Sequence, residues 1–157
     1  DYLLPIYRQA NNYPNLAEDG IEGNPDDLNA VDLHQQAWKI VEPIFSKDLR
    51  QALARYHEIK GSDRNLASDN LNSIVPAAHY GRVDTLFVAL GEQVWGRFDA
   101  SRNILDQHQE FLPGDQDLLD LAAVQTLVNG GVVFALETGL MPDDALLAAI
   151  FRYTYDG

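Results

Sequence analysis

A glycine followed at once by a solid apolar run constrains this chain more than any other feature. Residues 81–88 read Gly-Arg-Val-Asp-Thr-Leu-Phe-Val, directly after an amphipathic segment from Ser68 to Tyr80. A glycine at the end of a helical pattern supplies the left-handed residue that closes a helix. A continuous run rich in β-branched and aromatic residues suits a strand buried on both faces, as in parallel sheets. The junction therefore predicts a helix feeding a central strand, Val83 to Ala89. The same grammar recurs later. Asp115 or Asp117 opens a helix to about Asn129, with Leu118, Leu121, Ala122, Leu127 and Val128 as its apolar positions. Gly130-Gly131 stops it, and Val132 to Leu136 is a second buried strand. Leu147 to Tyr153 reads as a closing strand after the turn Pro142-Asp143-Asp144.

Between the two buried strands, Gly91-Glu92 separates Val83–Ala89 from Val94-Trp95-Gly96-Arg97-Phe98, which predicts a hairpin of those two segments, with a further short strand near Ile104 to Gln109. Upstream, a helix is expected from Asn29 or Asp32, with Leu33, Ala37, Ile40, Val41 and Ile44 on one face and Pro43 ending or kinking it. A second helix follows over about 47–60, with Tyr56 in its apolar stripe. A polar loop covers 61–67, and Ser68 or Asp69 caps the helix that carries Pro76 and leads to Gly81. Residues 1–8 are read as a strand remnant and 9–30 as a loop. The chain opens on Asp1-Tyr2 without a methionine, so it is expected to be a fragment. Strand, hairpin, helix, strand is a crossover unit, and the whole predicts a three-layer α/β sandwich for about 47–157, with 1–46 outside that pattern.

Charge narrows the partners. The chain has 157 residues, 24 acids and 11 bases, for a net charge of −13. Residues 1–48 carry nine acids and three bases, and residues 111–157 carry seven acids and one base. Nucleic-acid binding depends on neutralising phosphates, so both acidic ends argue against direct nucleic-acid contact. Only the middle, with Arg50, Arg55, Arg64, Arg82, Arg97 and Arg102, offers a local basic patch, and the plainer reading is scattered surface arginines. Absence of cysteine removes disulfides, zinc–thiolate sites and cysteine nucleophiles together, and agrees with a cytoplasmic location. No apolar run approaches the roughly 20 residues that span a membrane.

No compact catalytic motif is present. His34, His57, His79 and His108 show no metal-ligand spacing, so no metal or cofactor is expected. No serine lies in a nucleophile elbow. Glu18, Asp19, Glu22, Asp26 and Asp27 lack the order of a calcium loop. Asp143-Asp144 and Asp26-Asp27 read as solvated turn residues pointing apart. Gly130-Gly131 follows a helix, the reverse of a phosphate loop. Trp38, Trp95 and Phe98 could stack bases, but core or hairpin contact is the plainer reading. Taken by its residues, the chain is a binding or structural domain with no assigned catalytic group. The residues chosen for an interaction surface are His79, Arg82, Trp95 and Arg97.

Two strings add a resemblance. His79-Tyr80-Gly81-Arg82-Val83-Asp84-Thr85-Leu86-Phe87-Val88 and Ala148-Ala149-Ile150-Phe151-Arg152-Tyr153, in that order and flanking a helix, Gly-Gly and a buried strand, resemble the C-terminal domain of the archaeo-eukaryotic peptide-chain release factor and of its relative Pelota. The chain is more similar still to the bacterial relatives of that factor. Leu-Pro-Ile-Tyr-Arg, Tyr13-Pro14-Asn15-Leu16 and Gly23-Asn24-Pro25 would then be the tail of a middle domain. The resemblance implies a mixed central sheet in an α/β/α sandwich like the ribosomal L7Ae and L30e proteins. It implies a non-catalytic interaction domain of a ribosome-associated protein, with a protein partner or the ribosome as its target. The peptide-release motif Gly-Gly-Gln is absent, since Val132 follows Gly130-Gly131. Thr138 to Asp144 replaces the family's glycine-rich stretch. A rival reading is an enzyme or small-ligand module, with its site at the carboxyl ends of the strands around Leu90, Gly91, Glu92 and Glu137 to Gly139. A dimerisation module is a third.

Overall fold

The computed structural model describes residues 3–14, 16–21, 24, 28–62 and 65–154. Arg64, Glu22, Asp26 and Asp27, and the Asn15, Gly23 and Pro25 of the quoted strings, lie outside the described residues. The chain divides into two compact units, Asp1–Gln51 and Ala52–Gly157.

The first unit opens on helix α1, Leu3–Ala10, where a strand remnant was expected. Pro5 sits in its first turn, where a missing N–H costs nothing. Leu3, Ile6 and Tyr7 recur at helical spacing. Helix α2 runs unbroken from Ala30 to Lys60, so the expected division at Pro43 does not occur. The cost of that proline is one lost backbone bond to Lys39. Both residues are exposed, so water can take the freed carbonyl. Asn29 caps α2, its Oδ1 accepting from the amides of Val31 and Asp32 at 3.0 Å each.

The second unit is built on a four-stranded sheet of order β1-β7-β2-β6. Its strands are β1 (Ala67–Ser68), β2 (Val83–Ala89), β6 (Val132–Leu136) and β7 (Leu147–Phe151). β2 pairs in parallel with β6 and antiparallel with β7, which makes the sheet mixed. Helices α3 (Leu71–His79) and α4 (Leu118–Val128) cover one face. There Ile74, Val75, Ala78, Leu86, Leu118, Ala122 and Ala149 form the core. On the other face Tyr56, from the last turns of α2, packs its ring edge-on against Phe87 at 5.8 Å, and Phe87 stacks on Phe134 at 5.7 Å. Helix, mixed sheet and helix pair are the three layers that the α/β pattern implied.

Both glycine stops behave as the pattern requires. Gly81 and Gly130 hold φ of 70° and 73°. Gly81 N–H bonds to Ala78 O and Arg82 N–H to Ala77 O, the paired bonds that close a helix on a left-handed residue. An added Cβ at Gly81 would also stand 3.2 Å from Asn129 Oδ1. Gly81→Ala is therefore expected to cost about 1–2 kcal/mol, the penalty of the left-handed conformation, read as a lower urea midpoint.

Three local expectations shift. The residue that caps α3 is Asn70, its side chain accepting from Asn72 N–H, while Ser68 belongs to β1. The loop read over 61–67 thus yields its end to a strand. The hairpin is not β2 with its successor. β3 (Trp95–Asp99) pairs with β4 (Ile104–His108) and β5 (Gln116–Asp117) in a separate three-stranded sheet. The reason is that β6 and β7 already occupy both edges of β2. This small sheet sits inside the crossover between β2 and β6, ahead of α4, whose cap is Asp117.

Candidate functional site

The closure of α3 delivers Arg82 to one end of the central sheet. Its guanidinium lies 5.5 Å from the Phe151 ring centroid and 5.7 Å from that of Tyr153. An open groove of about 660 Å³ forms there, lined by Asn65, Asn72, Ser73, Pro76, Tyr80, Arg82, Asn103, Phe151 and Tyr153. Tyr80 donates its hydroxyl to Ala100 O at 2.8 Å, and Asn72 Oδ1 accepts from Gln107 at 3.2 Å. These two bonds tie the α3 wall to the β3–β4 hairpin. Arg152 braces the floor, donating to Gly81 O at 3.2 Å and Asn129 O at 2.9 Å, so one side chain satisfies carbonyls at both glycine stops. The lining holds amides, a hydroxyl, aromatic rings and a guanidinium. Such a surface can grip a polypeptide or another polar partner through hydrogen bonds and stacking. It lies at the opposite end of β2 from the carboxyl edge where a small-ligand site was weighed.

The four residues chosen for an interaction surface divide. Arg82 lines the groove. His79, half-buried, sets its ring 5.0 Å from Tyr80 and 5.3 Å from Phe98, bracing the wall from behind. Trp95 and Arg97 turn to the loop after β4. Trp95 packs edge-on to Phe111 at 5.1 Å. Arg97 Nε donates to Asp115 Oδ1 at 2.9 Å and its Nη2 to Pro113 O at 2.7 Å. Within the second unit Trp95 meets Phe111 and Phe98 meets His79, so these two build no common platform, and in the first unit Trp38 stacks on His34.

Asp115 is the centre of that loop. Its side chain is closed off from solvent. His108 Nδ1 stands 2.8 Å from Oδ2, and Leu112 N–H donates to the same oxygen at 2.9 Å. Burial alone would push the carboxyl up; the bonds from His108, Leu112 and Arg97 outweigh it and hold it below its ordinary value. A carboxylate with a folded pKa below its unfolded one adds stability above the unfolded value and loses it as pH falls through the folded value. Asp115→Asn is therefore expected to lower Tm at neutral pH, and the gap to the unmodified protein to close below about pH 4. Thermal unfolding of both at a series of pH values checks this.

A second cluster lies at the end of α2. Lys60 Nζ reaches Asp143 Oδ2 at 2.6 Å and Asp69 Oδ2 at 2.7 Å, and Tyr56 donates its hydroxyl to Asp143 at 3.1 Å. Asp143 is an exposed turn residue, as its sequence setting implied, but its carboxylate is held by Lys60 and Tyr56 across the fold. Lys60 holds its carboxyl below the usual range, with Tyr56 adding to the effect against burial. Asp143 and Asp144 both adopt left-handed backbone, φ 57° and 53°. Burial pushes the Tyr56 phenol up to about 12. The pair spans 87 residues of sequence, and no local pattern announces it. The cluster fastens the helix to the domain and holds no nucleophile with a base beside it.

Comparison with known proteins follows the same lines. The sequence model of bacterial archaeo-eukaryotic release factor family 3 matches residues 1–82. Among curated proteins none matches the chain. In structure it is similar to the C-terminal domain of a peptide chain release factor from Methanosarcina mazei, with TM-score 0.57 and 11% identity, over 83% of this chain and 99% of that one. It is also similar to Archaeoglobus fulgidus Pelota, with TM-score 0.49 and 15% identity, over 88% of this chain and 40% of that one. S. cerevisiae Dom34, a translation termination-like factor that interacts with Hbs1, gives TM-score 0.46 and 16% identity, over 82% of this chain and 32% of that one. The chain thus spans well under half the length of these last two proteins. The first likeness establishes the fold as that of a release-factor C-terminal domain, and the family match covers α1, α2, α3 and the Gly81 junction. The chain belongs to bacterial archaeo-eukaryotic release factor family 3.

Proposed function

We propose that this chain is a non-catalytic interaction module of a bacterial release-factor-like protein that works on the ribosome, in termination, rescue or regulation of translation. Membership of the release-factor family carries the reading. Residues 1–46 are assigned to the tail of a middle domain and 47–157 to the C-terminal domain. The groove at Arg82 is the contact surface, with His79 bracing its wall, while Trp95 and Arg97 fix the loop after β4. Its target is a protein, either a translation factor or a ribosomal protein. The formal charge of −13 sets a general repulsion against phosphate backbones, so rRNA is a poor primary target. Work on ribosomes places the protein in the cytoplasm. Among the described residues no helix is long and apolar enough to cross a membrane.

A pull-down with the tagged full-length protein tests this at physiological salt. Ribosomal proteins or a translation factor should be retained, and Arg82→Glu, at the groove, should release them. Recovery of no translation component, from stalled and unstalled ribosomes alike, would sink the reading.

A further inference from the structure

The last strand of the main sheet, β6, pairs with β2 on one side and, among the described residues, has no strand beyond it. Open edges normally carry charge, proline or a bulge that deters further pairing. Val132-Val133-Phe134-Ala135-Leu136 carries neither charge nor proline. Beside it, α4 turns outward a stripe that its sequence gave no reason to expect. Asp120, Val124, Leu127 and Val128 recur at i, i+4, i+7 and i+8, on one helix face. Val124, Leu127 and Val128 are 50%, 58% and 76% exposed, and Val132 at the start of β6 is 52% exposed. Open backbone and an apolar helix stripe thus adjoin, the combination that recruits an extended segment into a sheet.

Charge selects the occupant. Residues 103–151 contain eight acids and no lysine or arginine. Asp115 and Asp143 are matched by Arg97 and Lys60, but the ion pairs among the described residues do not include Asp120 or Glu137. A helix joining two parallel strands runs back antiparallel to them. Asp120 at the start of α4 and Glu137 just after β6 therefore lie toward the same end of the edge. We propose that β6 and the α4 stripe dock an extended segment of a partner protein, alternately apolar and carrying lysine or arginine at one end, which joins the sheet as a further strand. A second copy of this chain, at −13, is a poorer match in charge. The site uses residues remote in sequence from the Arg82 groove and does not depend on ribosome association.

The test titrates the full chain, labelled with nitrogen-15, with two synthetic peptides, Lys-Lys-Thr-Val-Thr-Val-Thr and Glu-Glu-Thr-Val-Thr-Val-Thr. The lysine peptide should shift and protect amides of Val132 to Leu136, and the glutamate peptide should bind about tenfold more weakly. Leu127→Asp and, separately, Asp120→Lys should each weaken the lysine peptide by about tenfold. Both change exposed positions, so if one variant fails to fold the other still decides. Equal binding of the two peptides would overturn the proposal, as would a silent β6 with both. A dimer in light scattering that Leu127→Asp dissolves would also overturn it, since a second copy would then be the occupant.

Discussion

Tyr56→Ala should destabilise the fold by about 3–5 kcal/mol, the range for removing a fully buried large aromatic side chain. Tyr56 is 0% exposed and is the large side chain through which α2 covers the sheet. Its ring meets Phe87 at 5.8 Å, the Lys60 ammonium lies 5.5 Å from its centroid, and its hydroxyl reaches Asp143. Alanine would open a void beside Phe87 and leave Asp143 with Lys60 alone. Tyr56→Phe keeps the ring and should cost only about 1 kcal/mol, the net worth of one hydrogen bond. Urea unfolding of the three proteins separates packing from the bond. Alkaline titration gives a further check. With its folded pKa raised to about 12, Tyr56 contributes stability that is complete below the unfolded value near 10 and lost as pH rises through the folded one. That alkaline loss should be smaller in Tyr56→Phe.

Gly96→Val should cost about 3 kcal/mol, the upper end of overpacking penalties. Gly96 is buried at the centre of the three-stranded sheet, facing Gln107 on β4 and Gln116 on β5. A Cβ there would collide with the Asp106 carbonyl oxygen and stand 2.8 Å from Leu118 Cδ1. The first obstacle is backbone and cannot swing aside. The second is the start of α4, so the damage should reach the crossover helix. Loss of cooperative thermal unfolding, with weakened amide protection in α4, is the expected outcome. An unchanged Tm would mean that the small sheet moves freely against α4.

The strands β2 and β6 and the helix α4 were legible because each is bounded by punctuation that acts locally. Gly81 and Gly130 stop helices, and unbroken apolar runs begin just beyond them. The layers followed from that order, and the family from the strings around it. Errors arose where local pattern competes with distant pairing. The segment Trp95–Asp99 looks like a partner for β2, but a sequence window cannot see that both edges of β2 are taken. Pro43 is a helix breaker by rule, yet α2 tolerates it where water can reach the orphaned carbonyl. Asp143 is the turn acid it reads as, but its bonds to Lys60 and Tyr56 span more than 80 residues and escape any local window. The groove was half legible. The junction singled out His79 and Arg82, whereas Asn72, Phe151 and Tyr153 meet Arg82 only through the fold. Thr126, fully buried and bonded to Ala122 O at 2.7 Å, takes an inward place on α4 while Leu127 and Val128 face outward, a division that composition alone inverts.

Sedimentation of the full-length protein with purified stalled ribosomes, at physiological salt, is the most direct measurement of a role in translation through the Arg82 groove. The unmodified protein should enter the ribosomal pellet, and Arg82→Glu combined with Tyr80→Ala should fall about tenfold in that fraction while keeping its fold by circular dichroism. Free migration of the unmodified protein with both stalled and empty ribosomes, or equal pelleting of the groove variant, would contradict it.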